Sequence, residues 1–125
     1  MLALVLPDEQ IDDASARRIA TDPVLVPSIF PIELANALYQ AERRGRIPAA
    51  ITPQLLRDVA DFQFTTSAPL FDLAEELELA RKHGLTIYDA CYLALAKRTV
   101  DPILASCDAR LRAAALAESI PVTPR

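Results

Sequence analysis

Apolar and polar positions alternate along the chain in a pattern that predicts short strands separated by helices. Residues 24–30 are apolar, rich in β-branched side chains and bounded by Pro23 and Pro31, which is typical of a short buried strand. Asp101 and Pro102 introduce a second apolar run at residues 103–105, which we interpret as another buried parallel strand. Two weaker strand candidates are residues 62–66 and 120–123, and the prolines of the latter suit a sheet edge.

Helix-forming residues fill the rest of the chain, with Pro in a first turn or Gly after a last one. The predicted helices are residues 31–44, 53–62, 69–83, 87–98 and 109–118. Strands that alternate with helices favour an α/β fold, here a three-layer sandwich with a mainly parallel central sheet flanked by helices. We expect a single domain over residues 1–125, with ligands bound at the carboxyl ends of the strands.

Composition narrows the possible functions. The chain has 125 residues, of which 52% are hydrophobic, so it can fold without a disulfide or a structural metal. Cys91 and Cys107 form no CxxC motif and there is one His, which argues against zinc and favours reduced, cytosolic thiols. The apolar run at residues 2–6 is too short for an export signal. A net charge of −4 disfavours broad nucleic-acid or membrane binding but does not exclude an RNA substrate.

One carboxylate stands in an apolar helix. Residues 87–96 are apolar at nearly every position and predict a helix buried all round, yet Asp89 lies in its first turn. A buried carboxylate must be capped, paired or bound to a cation, because its desolvation costs several kcal/mol or more. Thr86 and Asp89 also fit a capping box, in which the acid only stabilises the helix end. Taken alone, Asp89 favours that structural role.

Two more acids mark helix starts. Glu33 falls at the third position of a predicted helix, where acids complement the helix dipole, and Asp108 is a plausible N-cap. In a parallel α/β fold both should emerge at one edge of the sheet. Unit charges about 4 Å apart repel by roughly 4 kcal/mol at an effective dielectric of 20, so converging carboxylates favour a divalent cation. Oxygen ligands select Mg²⁺ or Mn²⁺, which can activate water against a phosphodiester. Asn36 would share the helical face of Glu33 and support the site.

The aromatic and basic residues have less specific interpretations. Tyr39, Tyr88 and Tyr92 occupy helical positions and are expected in the core rather than as base-stacking platforms. The arginines at positions 43, 44 and 46 could contact RNA phosphates, but a solvated helix end is the favoured interpretation.

Three segments carry a family resemblance. Residues 31–38 (PIELANAL), 85–96 (LTIYDACYLALA) and 104–111 (LASCDARL) resemble the downstream acidic motifs of PIN-domain ribonuclease toxins of the VapC type, in the same order and spacing. The resemblance implies a PIN-like fold in which Glu33, Asp89 and Asp108 are catalytic, metal-site acids. It also implies that Ser106 supplies a hydroxyl near the last acid. The implied function is a Mg²⁺- or Mn²⁺-dependent endoribonuclease toxin that is cytoplasmic, homodimeric and inhibited by an antitoxin protein.

The start of the chain departs from that family pattern. Residues 1–9 resemble the helix that follows the family's first strand. We therefore expect that the strand ending in the first catalytic aspartate is absent from this chain and that the domain is N-terminally incomplete. We expect upstream in-frame codons to encode an apolar strand ending in Asp. Asp8 and Glu9 match a polar, solvated helix end and do not replace that aspartate.

Two other functions stay open at this point. A truncated, non-catalytic PIN-like module would still bind an antitoxin or a dimer partner without cutting RNA. A phosphoacceptor receiver domain would also be acidic and bind Mg²⁺, but it needs an acidic pair after its first strand and a late Lys, and neither is evident.

Overall fold

The computed structural model of the protein describes residues 24–61, 64–66 and 72–124. The predictions for the start of the chain, namely the helix at residues 1–9, the absent first strand and the roles of Asp8 and Glu9, lie outside these ranges. Residues 69–71, at the start of one predicted helix, also lie outside them.

The first half of the described chain contains two strands with helices between them. β1 (Val24–Val26) pairs in parallel with β2 (Phe64–Thr66), with Val24 opposite Phe64. The connection holds α1 (Phe30–Arg43), a 3₁₀-helix (Ala49–Ile51) and α2 (Thr52–Ala60). Chain direction changes after α1 at Gly45, whose φ of 73° lies in the left-handed region that glycine adopts without a Cβ clash.

The second half repeats this alternation. It contains α3 (Ala74–His83), α4 (Ile87–Lys97), β3 (Leu104–Ala105), α5 (Ala109–Ala117) and β4 (Val122–Thr123). β3 and β4 are parallel, with Leu104 opposite Val122. α3 ends at Gly84, which takes the left-handed C-cap conformation with a φ of 66°. Short parallel strands among helices confirm the α/β class.

Two groups of buried apolar side chains form the interior. The N-terminal core consists of Val26, Phe30, Leu34, Leu38, Ala41 and Ile47. The C-terminal core consists of Leu79, Ala80, Ala90, Leu93, Ala94, Ala96, Leu104, Leu111, Ala114, Ala115 and Ile120. Tyr92 of α4 packs against both cores. This helix therefore joins the two halves of the described chain.

Ion pairs hold the end of α4 against its neighbours. Arg98 Nη1 lies 3.0 Å from Glu75 Oε2 and 3.3 Å from Glu76 Oε1, and the Glu76 side chain is only 2% exposed. The Glu118 carboxylate, after α5, forms ion pairs with Lys82 and Lys97, and each Nζ lies 3.3 Å from a carboxylate oxygen. A buried carboxylate such as Glu76 needs this kind of partner. With one end of α4 fixed to α3 and α5, its opposite end presents Asp89 in a defined direction.

Several predicted boundaries were wrong. The strand predicted at residues 24–30 stops at Val26, and Phe30 is already helical and packs edge-on against Phe64, with ring centroids 5.0 Å apart. Pro27 lacks the N–H that a strand ladder requires, which explains the early end. The 3₁₀-helix was not predicted, and the last strand is two residues long rather than four.

The expectation that α4 is buried all round was wrong, because only Ala90, Leu93, Ala94 and Ala96 of this helix are buried. Tyr88 is 60% exposed, whereas Leu93 and Ala94 are fully buried. Tyr39 on α1 is also exposed, at 52%, so only Tyr92 of the three tyrosines matches the predicted core placement.

Two further observations concern export and redox state. Cys91 and Cys107 are both free thiols. In the ranges that the structure describes, no helix is long and apolar enough to cross a membrane.

Candidate active site

Glu33 is held in a half-buried position in the first turn of α1. The Tyr92 hydroxyl donates a hydrogen bond to its carboxylate, while Oε1 is buried and has no hydrogen-bond partner among the described residues. Burial raises the pKa of Glu33 and the charge of Asp89 raises it further, against the opposing effect of the Tyr92 hydrogen bond. The N-cap of α1 is Ile29, whose side chain forms no capping hydrogen bond. The neighbouring groups therefore do not fully offset the cost of burying the ionised Glu33 carboxylate.

Asp89 is the third residue of α4. Its backbone N–H donates to Thr86 Oγ1 at 3.1 Å, so Thr86 caps the helix as the sequence motif predicts. Burial is the main cause of a raised pKa at the Asp89 carboxyl, and the charge of Asp108 adds to it, whereas a hydrogen bond with the Thr86 side chain lowers it. The Asp89 carboxyl therefore interacts with its own helix end through Thr86 and is also influenced by the charge of Asp108.

Asp108 is the N-cap of α5, as predicted. Its Oδ1 accepts the N–H of Leu111 at 2.8 Å, and its own N–H donates to Ser106 Oγ at 3.0 Å. Ser106 is 8% exposed. Arg112 ties this loop down by donating to the Ser106 carbonyl at 2.8 Å and to the Pro124 carbonyl. Ser106 and Arg112 thus fix the approach of the chain to Asp108.

The three acids form one electrostatically coupled series. The charge of Asp89 raises the pKa of Glu33, and the charge of Asp108 raises that of Asp89. Asn36 is exposed one turn beyond Glu33 on α1. Across residues 24–61, 64–66 and 72–124, however, no three His, Cys, Asp or Glu side chains are grouped closely enough to hold a metal ion. The carboxylates are neighbours without forming a complete ligand set.

Tyr92 is a site residue that the sequence interpretation missed. Its ring packs between the two cores, as expected, but its hydroxyl hydrogen-bonds Glu33. Burial is the first cause of the raised pKa of this phenol, followed by the hydrogen bond and charge of Glu33. The available signal was its position three residues after Asp89, on the same side of the helix. Arg112 was also missed, although it follows the predicted N-cap by four residues.

Comparison with known proteins identifies the family of this chain. Residues 1–116 match the PIN domain family. The chain is also 30% identical over 100 residues to "Ribonuclease VapC3" of Pyrobaculum aerophilum, which covers 77% of this chain and 75% of the relative. The chain therefore belongs to the PIN-domain family, as a VapC-type member. The resemblance inferred from the acidic motifs is confirmed, and the receiver-domain alternative was wrong.

Proposed function

We propose that this protein is a divalent-metal-dependent endoribonuclease and the toxin of a toxin–antitoxin pair. One observation carries the proposal: the charge of Asp108 raises the pKa of Asp89, the charge of Asp89 raises the pKa of Glu33, and one buried oxygen of Glu33 has no hydrogen-bond partner among the described residues. A carboxylate oxygen left in this state is costly unless a cation or donor completes it. The similarity to a protein named as a ribonuclease supports the substrate class.

The chemistry of the donor atoms favours Mg²⁺ or Mn²⁺, although the three carboxylates are not grouped closely enough in the described ranges to form a complete ligand set. All three side chains offer carboxylate oxygens, which hard divalent cations prefer. Glu33 and Asp89 would hold the ion, with Asp108 contributing the oxygen that does not cap α5. Such an ion supplies activation of water and stabilisation of the leaving oxygen during phosphodiester hydrolysis.

The surrounding residues orient these acids. Tyr92 directs the Glu33 carboxylate through its hydroxyl, and Ser106 fixes the backbone of Asp108. Thr86 caps α4 and hydrogen-bonds the Asp89 carboxyl, so it fixes the direction in which the rest of that carboxylate would face the ion. Asn36 would contact the substrate or the site from the next turn of α1. Glu33, Asp89 and Asp108 are the residues that we assign to catalysis and metal binding.

The partners follow from the family resemblance. We propose RNA as substrate, a small antitoxin protein whose peptide covers the acidic pocket, a homodimer and a cytoplasmic location. We also propose that the paired strands belong to one mainly parallel sheet between two helical layers.

Asp89→Asn provides the test, because it keeps the side-chain shape and removes the charge. We expect RNA cleavage to fall by about a hundredfold or more, since changes that only touch a ligand's support already cost roughly 10- to 100-fold. Cleavage should stop in EDTA and return with Mn²⁺ or Mg²⁺. Normal cleavage by Asp89→Asn would show that Asp89 only stabilises the helix end. Cleavage that persists in chelator would show that the reaction does not need a metal ion.

Asp101→Asn is the matched control. Asp101 is exposed and has a φ of 50°, a conformation that Asn tolerates as well as Asp does. It follows the opposite end of α4 from Asp89, so its substitution removes one carboxylate without touching the proposed site. We expect it to cut RNA like the wild type.

The alternative is a non-catalytic PIN module that binds an antitoxin or a second copy without cutting RNA. It is favoured by the finding that no three potential ligands are grouped closely in the described ranges. Metal-dependent cleavage by the wild-type protein would exclude it.

A further inference from the structure

Tyr88 is an exposed aromatic residue directly before Asp89. Single exposed apolar side chains are common on proteins, so its exposure of 60% carries little weight alone. Its place is unusual because the following turns of α4 are largely buried. A large ring here stands in solvent at the end of the helix that presents a proposed catalytic acid.

The helical spacing places the Tyr88 ring on the same side of α4 as the acidic site. Tyr88 and Tyr92 are four residues apart, so they share a face of α4, and side chains on a helix lean toward its N-terminus. Tyr92 on this face hydrogen-bonds Glu33. Tyr88 therefore lies one turn further out on the side of α4 that faces Glu33. The helical spacing therefore places Tyr88 beside the acidic side chains rather than on an unrelated surface.

Tyr39 offers a contrast on α1. It is exposed to a similar degree, at 52%, but the Arg43 guanidinium carbon lies 5.8 Å from the centre of its ring. A cation over the ring occupies that π face. For Tyr88, no ring or cation partner is found within the part of the chain that the structure describes. Of the two exposed tyrosines, Tyr88 therefore has the ring face that is available for stacking.

We propose that Tyr88 is a specificity-determining residue that stacks on an unpaired base next to the phosphate held at the carboxylates. This inference rests on the proposed ribonuclease function and adds the requirement for an unpaired nucleotide. Stacking on an aromatic side chain needs a base splayed out of a helix, as in RNA loops, bulges and ends. It also suits a chain of net charge −4, because stacking supplies affinity without phosphate-binding cations.

Binding measured without metal separates this inference from cleavage. The probe is a short fluorescein-labelled single-stranded oligoribonucleotide, followed by anisotropy in EDTA. Tyr88→Leu should bind roughly 5- to 140-fold more weakly, the loss that corresponds to one stacked base. Tyr88→Phe should restore binding, because stacking needs the ring and not the hydroxyl. Tyr39→Leu, which removes an exposed tyrosine elsewhere, should bind like the wild type.

Two further measurements distinguish stacking from other contacts. The factor lost in Tyr88→Leu should be the same at about 50 and 200 mM salt, whereas a lost phosphate contact would change the salt dependence. Replacing bases of the probe one at a time by abasic nucleotides should reveal a position that weakens wild-type binding but not Tyr88→Leu binding. That non-additivity identifies the stacked base.

Several outcomes would overturn the assignment of Tyr88. They are unchanged affinity in Tyr88→Leu, absence of any such abasic position, or a wild type that does not bind the probe. A Tyr88→Leu protein that sediments as a smaller species would instead assign Tyr88 to a protein interface. If Tyr88 is needed for RNA binding but the wild type does not cleave RNA in Mn²⁺, only the ribonuclease proposal would be wrong. If the wild type and Tyr88→Leu cleave RNA equally well, only the role of Tyr88 would be wrong.

Discussion

The starts of α1 and α5 both carry an acid, but the two carboxylates have different surroundings. At α5, Asp108 is exposed and its carboxylate caps the helix by accepting the Leu111 N–H at 2.8 Å. At α1 the N-cap is Ile29, with no side-chain cap, and the acid Glu33 is half-buried with one oxygen lacking a partner among the described residues. Asp108 therefore stabilises its helix, whereas the burial of the Glu33 carboxylate is only partly offset by its hydrogen bond with Tyr92.

This difference indicates which acid the fold needs and which it tolerates. Asp108 would be retained in a purely structural protein because an N-cap contributes about 1 kcal/mol. Glu33 raises its own electrostatic cost by being buried near Asp89. Local arrangements that disfavour folding are expected where function requires them. Glu33 is thus the stronger indicator of a functional site, although Asp108 looked equally ordinary in the sequence.

The largest effect should come from metal binding. A ligand that binds only the folded state, present at about 100 times its Kd, adds roughly 2.7 kcal/mol of stability, so Mn²⁺ should raise the Tm. The double variant with Asp89→Asn and Asp108→Asn should lose this shift, and Glu33→Gln should reduce it. Thermal melts with and without Mn²⁺ provide the measurement, with Asp101→Asn as control. An unchanged shift in the double variant would place the ion elsewhere.

A smaller effect separates the two roles of Asp108. Asp108→Ala should lower the free energy of unfolding of the metal-free protein by about 1 kcal/mol, because it removes the cap. Asp108→Asn should keep that stability, since Asn caps as well as Asp, while still losing cleavage. Urea denaturation and an RNA cleavage assay measure the two properties. If Asn destabilised the protein as much as Ala does, the capping bond would not explain the contribution of Asp108.

The smallest effect is a pH dependence at Glu33. Its pKa is raised above the ordinary value of 4.5, so the folded state binds a proton more readily than the unfolded state does. Keeping Glu33 ionised in the folded state lowers the free energy of unfolding. This loss of stability is absent well below pH 4.5, grows as the pH rises toward the raised pKa of Glu33 and is complete above that pKa. Metal-free Glu33→Gln should therefore be more stable than wild type at pH 7, by less than about 1 kcal/mol, the range of most polar substitutions outside a core.

That advantage should disappear below pH 4.5, where wild-type Glu33 is neutral in both states. Denaturation of both proteins across this pH range isolates the effect, because groups that titrate equally in the two proteins cancel in the difference. A Gln variant that is less stable than wild type at pH 7 would show that Glu33 is well compensated. The contrast with Asp108 would then fail.

The sequence by itself determined the α/β class and the order of the main elements, and it supplied the prediction that Glu33, Asp89 and Asp108 form the site. These properties depend on local information: apolar periodicity, prolines in first turns, glycine after a last turn, and short motifs around Glu33, Asp89 and Asp108. Thr86 and Asp108 behave as the caps that their sequence positions predict. Local hydrogen bonds within a few residues are sufficient for these features.

Only the tertiary structure decided how these acids differ and what surrounds them. The Tyr92 hydroxyl reaches Glu33 because the Tyr92 side chain packs against the N-terminal core, and the exposure of Tyr88 depends on which neighbours cover the first turn of α4. Neither fact follows from periodicity, since Tyr88 and Tyr92 share one helical face and yet differ in burial. Burial and charge coupling depend on contacts between residues distant in the sequence, and the pattern along a single helix does not contain that information.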